Sequence, residues 1–235
     1  MFTEADFELF TPRFQADPEW NGRRLEVRHR LQALGDELVA AAAAEGVGLD
    51  RRESLHHPHA SNGKKVRRQR TMLFRDKKAR KKLQSFLGKE LGKDLDSARN
   101  NLHFQVVVDG AGCRWGLRND THAWYDLNVL VKRAEEEEGR KALAAASREG
   151  ADFKLVLDGR GGSELASMDA LSWREFSGMV RPGESSYQIE ATMPKEAVVR
   201  AGLDWAEGVK ADLLRLLPFY RLATWSSDSP SGVSW

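Results

Sequence analysis

Between positions 64 and 82 the chain places eleven Lys and Arg residues and a single acid, Asp76. Eleven less one leaves ten net positive charges in nineteen residues. The whole chain of 235 residues carries only +2, so the other 216 residues sum to −8. A single-signed run of this density speaks to a partner more than to a fold, because each phosphate neutralised by Lys or Arg releases condensed counterion. Lys64, Lys65, Arg67, Arg68, Arg70, Lys77, Lys78, Lys81 and Lys82 are the expected contacts to a nucleic acid, DNA or RNA. His57 and His59, just upstream, are secondary contacts that become more cationic as pH falls through about 6.5. Phosphate contacts position a ligand without reading its bases, so no sequence preference is implied. Two other fates remain open for the run: an acidic protein partner, or neutralisation within the fold, for instance by the acidic stretch 135–138.

His56, His57 and His59 also invite a metal reading. A metal there would need further ligands, such as His103 or His122, and no acidic cluster lies beside the segment. No metal or cofactor is implied. A third group gathers Arg99, Asn100, Asn101, His103, Gln105, Trp115, Arg118, His122, Trp124, Tyr125, Asp126 and Asn128 around an expected hairpin. Such rings and polar tips can stack on and read unpaired bases, or they can be core aromatics with satisfied polar ends. An enzymatic alternative draws on these residues: a pocket for a phosphorylated or anionic small substrate, lined by His57, His59, Arg70, His103, Arg118 and Asp126. That reading requires the groups to converge in one concave site. A further alternative is a non-enzymatic subunit docking an acidic partner, with the segment carrying Trp225 and Trp235 as an added contact.

Familiar catalytic signatures are absent. There is no GxxxxGK[ST] loop, no GxGxxG after a strand and no GxSxG elbow, and Cys113 has no flanking motif. Asp152-Phe153-Lys154 echoes the acid-x-Lys half of a nuclease metal site, which would also need a carboxylate such as Asp109 or Asp126.

The elements that must hold these residues follow from periodicity. Helices are expected over 3–10, 21–44, 76–91 (with Asp76 as N-cap) and 126–148; Pro194 can start another, and a last one over 203–217 is stopped by Pro218. Strands are expected over 66–74, 153–157 and 187–192, with a hairpin over 102–118 turning at Asp109-Gly110-Ala111-Gly112. Positions 47–65 and 160–162 read as loops. The strand over 66–74 alternates Arg68/Arg70/Met72/Phe74 with Arg67/Gln69/Thr71/Leu73. Five strands among as many helices predict a compact α+β domain over 1–225, its sheet mixed or antiparallel, with a possible joint at 139–151 and a loose tail at 226–235.

Composition supports that class. One cysteine excludes a disulfide framework or a Cys-based zinc site, and seven Trp with ten Phe argue against disorder. The longest apolar run, 38–44, is far too short to span a membrane, and the acidic opening MFTEADFELF is no signal peptide. A cytoplasmic protein is the expectation. The opening FTEADFELF, the helix carrying LQALGDEL, the His-rich basic loop leading into a strand, and the strand HFQVVV together resemble the uncharacterised bacterial YktB-like family over about the first 130 residues. The resemblance implies a compact α+β fold and no particular activity. The density of RRQRTMLFRDKKARKK departs from that family's pattern.

Overall fold

The computed structural model describes residues 1–60 and 62–226; residue 61 and most of the expected tail, including Trp235, lie outside the described residues. Its frame is a seven-stranded sheet in which every pairing is antiparallel. The strands are β1 (Leu49–Glu53), β2 (Arg68–Arg75), β3 (His103–Asp109), β4 (Gly112–Asn119), β5 (Lys154–Leu157), β6 (Arg160–Glu164) and β7 (Tyr187–Pro194), in the order β1-β2-β3-β4-β7-β5-β6. The helices are α1 (Glu4–Glu8), α2 (Asn21–Ala44), α3 (Lys77–Leu91), α4 (Trp124–Glu135), α5 (Glu137–Arg148), α6 (Ala170–Met179), α7 (Lys195–Ala201), α8 (Asp204–Arg215) and α9 (Leu217–Ala223).

Strand alternation decides where the core sits. Leu73, Phe104, Leu117, Ile189 and Leu155 are register partners across five strands, so one face carries an unbroken apolar row. Against it pack Leu31, Leu34 and Leu38 of α2, Leu127 and Leu130 of α4, and Leu213, Leu217 and Phe219 of α8 and α9, all buried. Burying each such side chain stabilises by about 1.5–3 kcal/mol, which is why the helical spacing of α2 is so regular. One apolar cluster runs from Phe2 to Ala223 and includes Leu143, Ala144 and Ala146, so the segment offered as a joint at 139–151 is part of a common core.

Buried arginines secure the connections. Arg24 is fully buried, donating to the carbonyls of Phe14 (2.9 Å), Asp17 and His56 (3.1 Å) and to Asn21 Oδ1 (2.9 Å), and so ties two loops to α2. Arg75 and Asp126 form an ion pair inside the helical layer, and Asp126 Oδ2 also accepts from the Leu102 N–H at 2.7 Å.

Several expectations need correction. The loop over 47–65 contains β1, and the loop over 160–162 belongs to β6. Both are edge strands, where Leu49 alone of β1 is buried and β6 is exposed throughout, so neither needed an alternating apolar pattern. The helix over 126–148 is two helices, because Glu136 adopts an extended conformation (φ −86°, ψ 138°). Pro218 does not stop a helix; it sits in the first turn of α9, where its missing N–H costs nothing. Helix α6 had no counterpart in the expected elements.

Gly116, in the middle of β4, has φ +146°, and a Cβ there would lie 1.8 Å from the Ile189 carbonyl oxygen. Gly116→Ala should therefore destabilise the sheet by at least about 2–3 kcal/mol, through both the disfavoured conformation and the clash. Urea unfolding checks this; a variant as stable as the parent would contradict the close packing of β4 on β7.

Candidate nucleic-acid interface

The fold divides the basic run instead of presenting it as one patch. Arg75 and Arg80 are consumed internally. Arg75 holds Asp126, and Arg80 donates to Asp50 Oδ2 (2.6 Å), Asp96 Oδ1 (2.9 Å) and the Arg75 carbonyl (2.7 Å) while lying 5.0 Å from the Phe74 ring. Neutralisation thus occurs, but not by the acidic stretch 135–138, where Glu137 and Glu138 hold Lys141 at 2.8 and 2.9 Å. Lys64, Lys65 and Arg67 are exposed before β2, and Lys77, Lys78, Lys81 and Lys82 are exposed on α3 beyond its far end. A strand of eight residues, about 25 Å long, separates the two groups. The strand-helix unit expected as a single phosphate-binding surface is corrected on this point.

What β2 does is turn Arg68 and Arg70 onto the face opposite the apolar row. Register carries that face across the sheet: Arg70 lies beside Val107, then Arg114, then Thr192; the next row is Met72, Gln105, Gly116 and Glu190, and the one after it Phe74, His103, Arg118 and Gln188. The short turn Ala98–Asn100 packs on Met72 and Phe74 through Ala98 and brings in Arg99. Five arginines therefore share this face.

Their pairing differs. Arg114 is bound to Asp109 (3.1 Å) and Arg118 to Asp120 (2.6 Å). Arg68, Arg70 and Arg99 have no carboxylate partner among the described residues. Burial, then the charges of Arg99 and Arg68, push the Arg70 guanidinium down to about 10. Burial, then Arg114 and Arg118, lower Arg68. Asp109 acts on Arg68 and Asp120 on Arg70 only at a distance, each being bound to another arginine, so the half-buried Arg70 and the exposed Arg68 and Arg99 form a ready anion site.

Beneath them, His103, Gln105 and Val107 are buried, covered by the flanking arginine stems. His103 Nδ1 donates to the Asn101 carbonyl at 2.9 Å, the only role that acceptor allows, and Nε2 has no partner among the described residues. Burial holds the His103 pKa down to about 4, against 6.5 for an ordinary histidine. The unfolded chain takes up a proton near pH 6.5 that the folded chain refuses. Stability from this group is thus complete above about 6.5 and declines as pH falls toward 4, by roughly 3 kcal/mol in total. In His103→Gln that part of the acid slope should vanish when urea midpoints are followed from about pH 7 to about pH 4. Identical slopes in parent and variant would refute the assignment.

The other expected positions scatter. His57 and His59 stack at 5.2 Å on the loop after β1, and the His59 N–H donates to His57 Nδ1 at 3.2 Å. Of the alternative small-substrate pocket, Arg70, His103 and Arg118 come together on adjacent strands, whereas Asp126 lies on the opposite, helical side of the sheet, already paired. The base-stacking option is also corrected: Phe104, Trp115 and Tyr125 are buried on the helical side, and Trp115 Nε1 donates to Asp212 at 2.9 Å. His56 is held below the ordinary histidine range by burial and then by Arg28, and among the described residues no group of three or more His, Cys, Asp or Glu is arranged to hold a metal. The nuclease echo is not assembled, since Asp152 pairs with Arg215, Asp109 with Arg114 and Asp126 with Arg75. Cys113 is buried, and burial raises its thiol far above the reactive range. Arg114 is the residue that sequence reasoning passed over. It has the opposite parity to Trp115, so the hairpin alternation already assigned it to the face away from the core.

No protein-family model matches this chain, and no curated protein matches it. No helix among the described residues is long and apolar enough to cross a membrane.

Proposed function

We propose that the protein binds nucleic acid through phosphates laid along the open face of the sheet. The observation that carries this reading is the set Arg68, Arg70 and Arg99: three guanidinium groups on one face with no carboxylate bound to any of them. The exposed Lys64, Lys65 and Arg67 extend that charge at the near end of β2. A polymer suits the surface better than a small substrate does. None of the cavities of about 1020, 610 and 520 Å³ is lined by Arg70, His103 or Arg118, although the two smaller ones reach the sheet face at Arg114, Glu190 and Thr192. Phe104, Trp115 and Tyr125 are buried on the helical side and Phe74 is buried with Ala98, so base stacking contributes little and a duplex should bind at least as well as a single strand. The YktB-like resemblance stands as a proposal of kinship and brings no activity to this reading.

Fluorescence anisotropy with labelled single- and double-stranded DNA and RNA over a salt series tests it. Three to five neutralised phosphates give a log–log salt slope of about −3 to −4.5 on duplex DNA. Absence of binding to every one of the four polymers at low salt would overturn it.

A further inference from the structure

A cavity of about 1020 Å³ on the helical side of the sheet is untouched by the phosphate-binding reading. It opens between the α2–β1 connection, the first turn of α3, α5 and α9. Small residues create the space: Gly46 and Gly48 on one wall, Ala142 and Ala145 on another. Small-molecule sites run to roughly 300–1,000 Å³, so a metabolite-sized ligand fits with little to spare for anything larger.

The lining is charged with one sign. Arg75, Arg133, Arg215 and Arg221 border the cavity, and Glu149 is its single carboxylate among the described residues. Arg215 is held by Asp152 and Asp212, but among the described residues Arg221 reaches only the Glu45 carbonyl, with no carboxylate on it. Arg75 is 4% exposed; its Nη2 binds Asp126, while Nε and Nη1 have no hydrogen-bond partner among the described residues. Trp225 and Tyr220 provide flat apolar surface beside these groups.

We propose that this cavity binds an aromatic anion: a planar ring bearing a phosphate or carboxylate, its charge toward Arg221 and its ring against Trp225 and the alanine wall. Phenyl phosphate is the test ligand, with benzyl alcohol lacking the charge and inorganic phosphate lacking the ring. Titration of the full chain by tryptophan fluorescence and by thermal unfolding should show saturable binding and a raised Tm for phenyl phosphate, at least tenfold weaker for either control. Ala145 is exposed at the wall, so Ala145→Trp puts an indole where the ligand's ring would lie without disturbing the core. It should weaken phenyl phosphate at least tenfold and leave duplex binding as in the parent, which separates this site from the sheet face. No saturation below roughly 10 mM, equal binding of inorganic phosphate or of benzyl alcohol, or binding that survives Ala145→Trp overturns the proposal.

Discussion

Reversing Arg68, Arg70 and Arg99 together to Glu should weaken duplex binding at least a hundredfold near physiological salt and flatten the log–log salt slope by about 2.7, three phosphates at about 0.9 each. The fold should survive, since none of the three bonds a carboxylate within it. Relief of their mutual repulsion should offset part of any stability cost, because the charges of Arg99 and Arg68 add to burial in depressing Arg70. The informative contrast is Lys77, Lys78, Lys81 and Lys82 reversed on α3. These lie beyond the far end of β2, and their loss should cost about tenfold or less, as expected of charges contributing mainly at a distance. Wild-type affinity in the arginine triple variant would sink the sheet-face interface. An equal loss in both sets would restore the strand-helix unit as a single surface.

The second large effect concerns stability. Asp126→Ala should cost about 3–5 kcal/mol, because it strands the buried charge of Arg75. It also removes the acceptor of the Leu102 N–H, at the entry to β3. The buried Tyr187 and Tyr220 hydroxyls, which burial pushes well above the usual phenol range, cannot take over as anions. Replacing both partners, Arg75→Met with Asp126→Leu, should recover much of the loss, since an apolar pair carries no desolvation penalty. Equilibrium urea unfolding of the two variants measures this. A single-variant loss under about 1 kcal/mol would show that Asp126 is not the counter-charge the geometry makes it.

Much of the architecture was legible because its signals are local. The apolar spacing of α2, the Asp76 cap (its Oδ1 accepts the Ala79 N–H at 2.7 Å) and the hairpin of β3 and β4 each state their structure within a few residues. The edge strands were not legible, since Leu-Asp-Arg-Arg-Glu and Arg-Gly-Gly-Ser-Glu bury almost nothing and so carry no period. The site was half legible. A charge count finds Arg68 and Arg70 but cannot separate them from Arg75 and Arg80, whose partners Asp126, Asp50 and Asp96 come from other parts of the chain. Nor can it foresee that Arg99, Arg114 and Arg118 would join them, because that depends on which strand lies beside which.

The position of β7 has a consequence for how the polypeptide matures as it is made. β2, β3 and β4 each pair with the strand before them, so the first 119 residues supply their own neighbours, and all five arginines of the open face lie within that stretch. The β5–β6 hairpin meets the rest of the sheet only through β7, which is complete at Pro194. On the ribosome the phosphate-facing surface can therefore take shape early, and the last strand enters like a keystone between two halves already built.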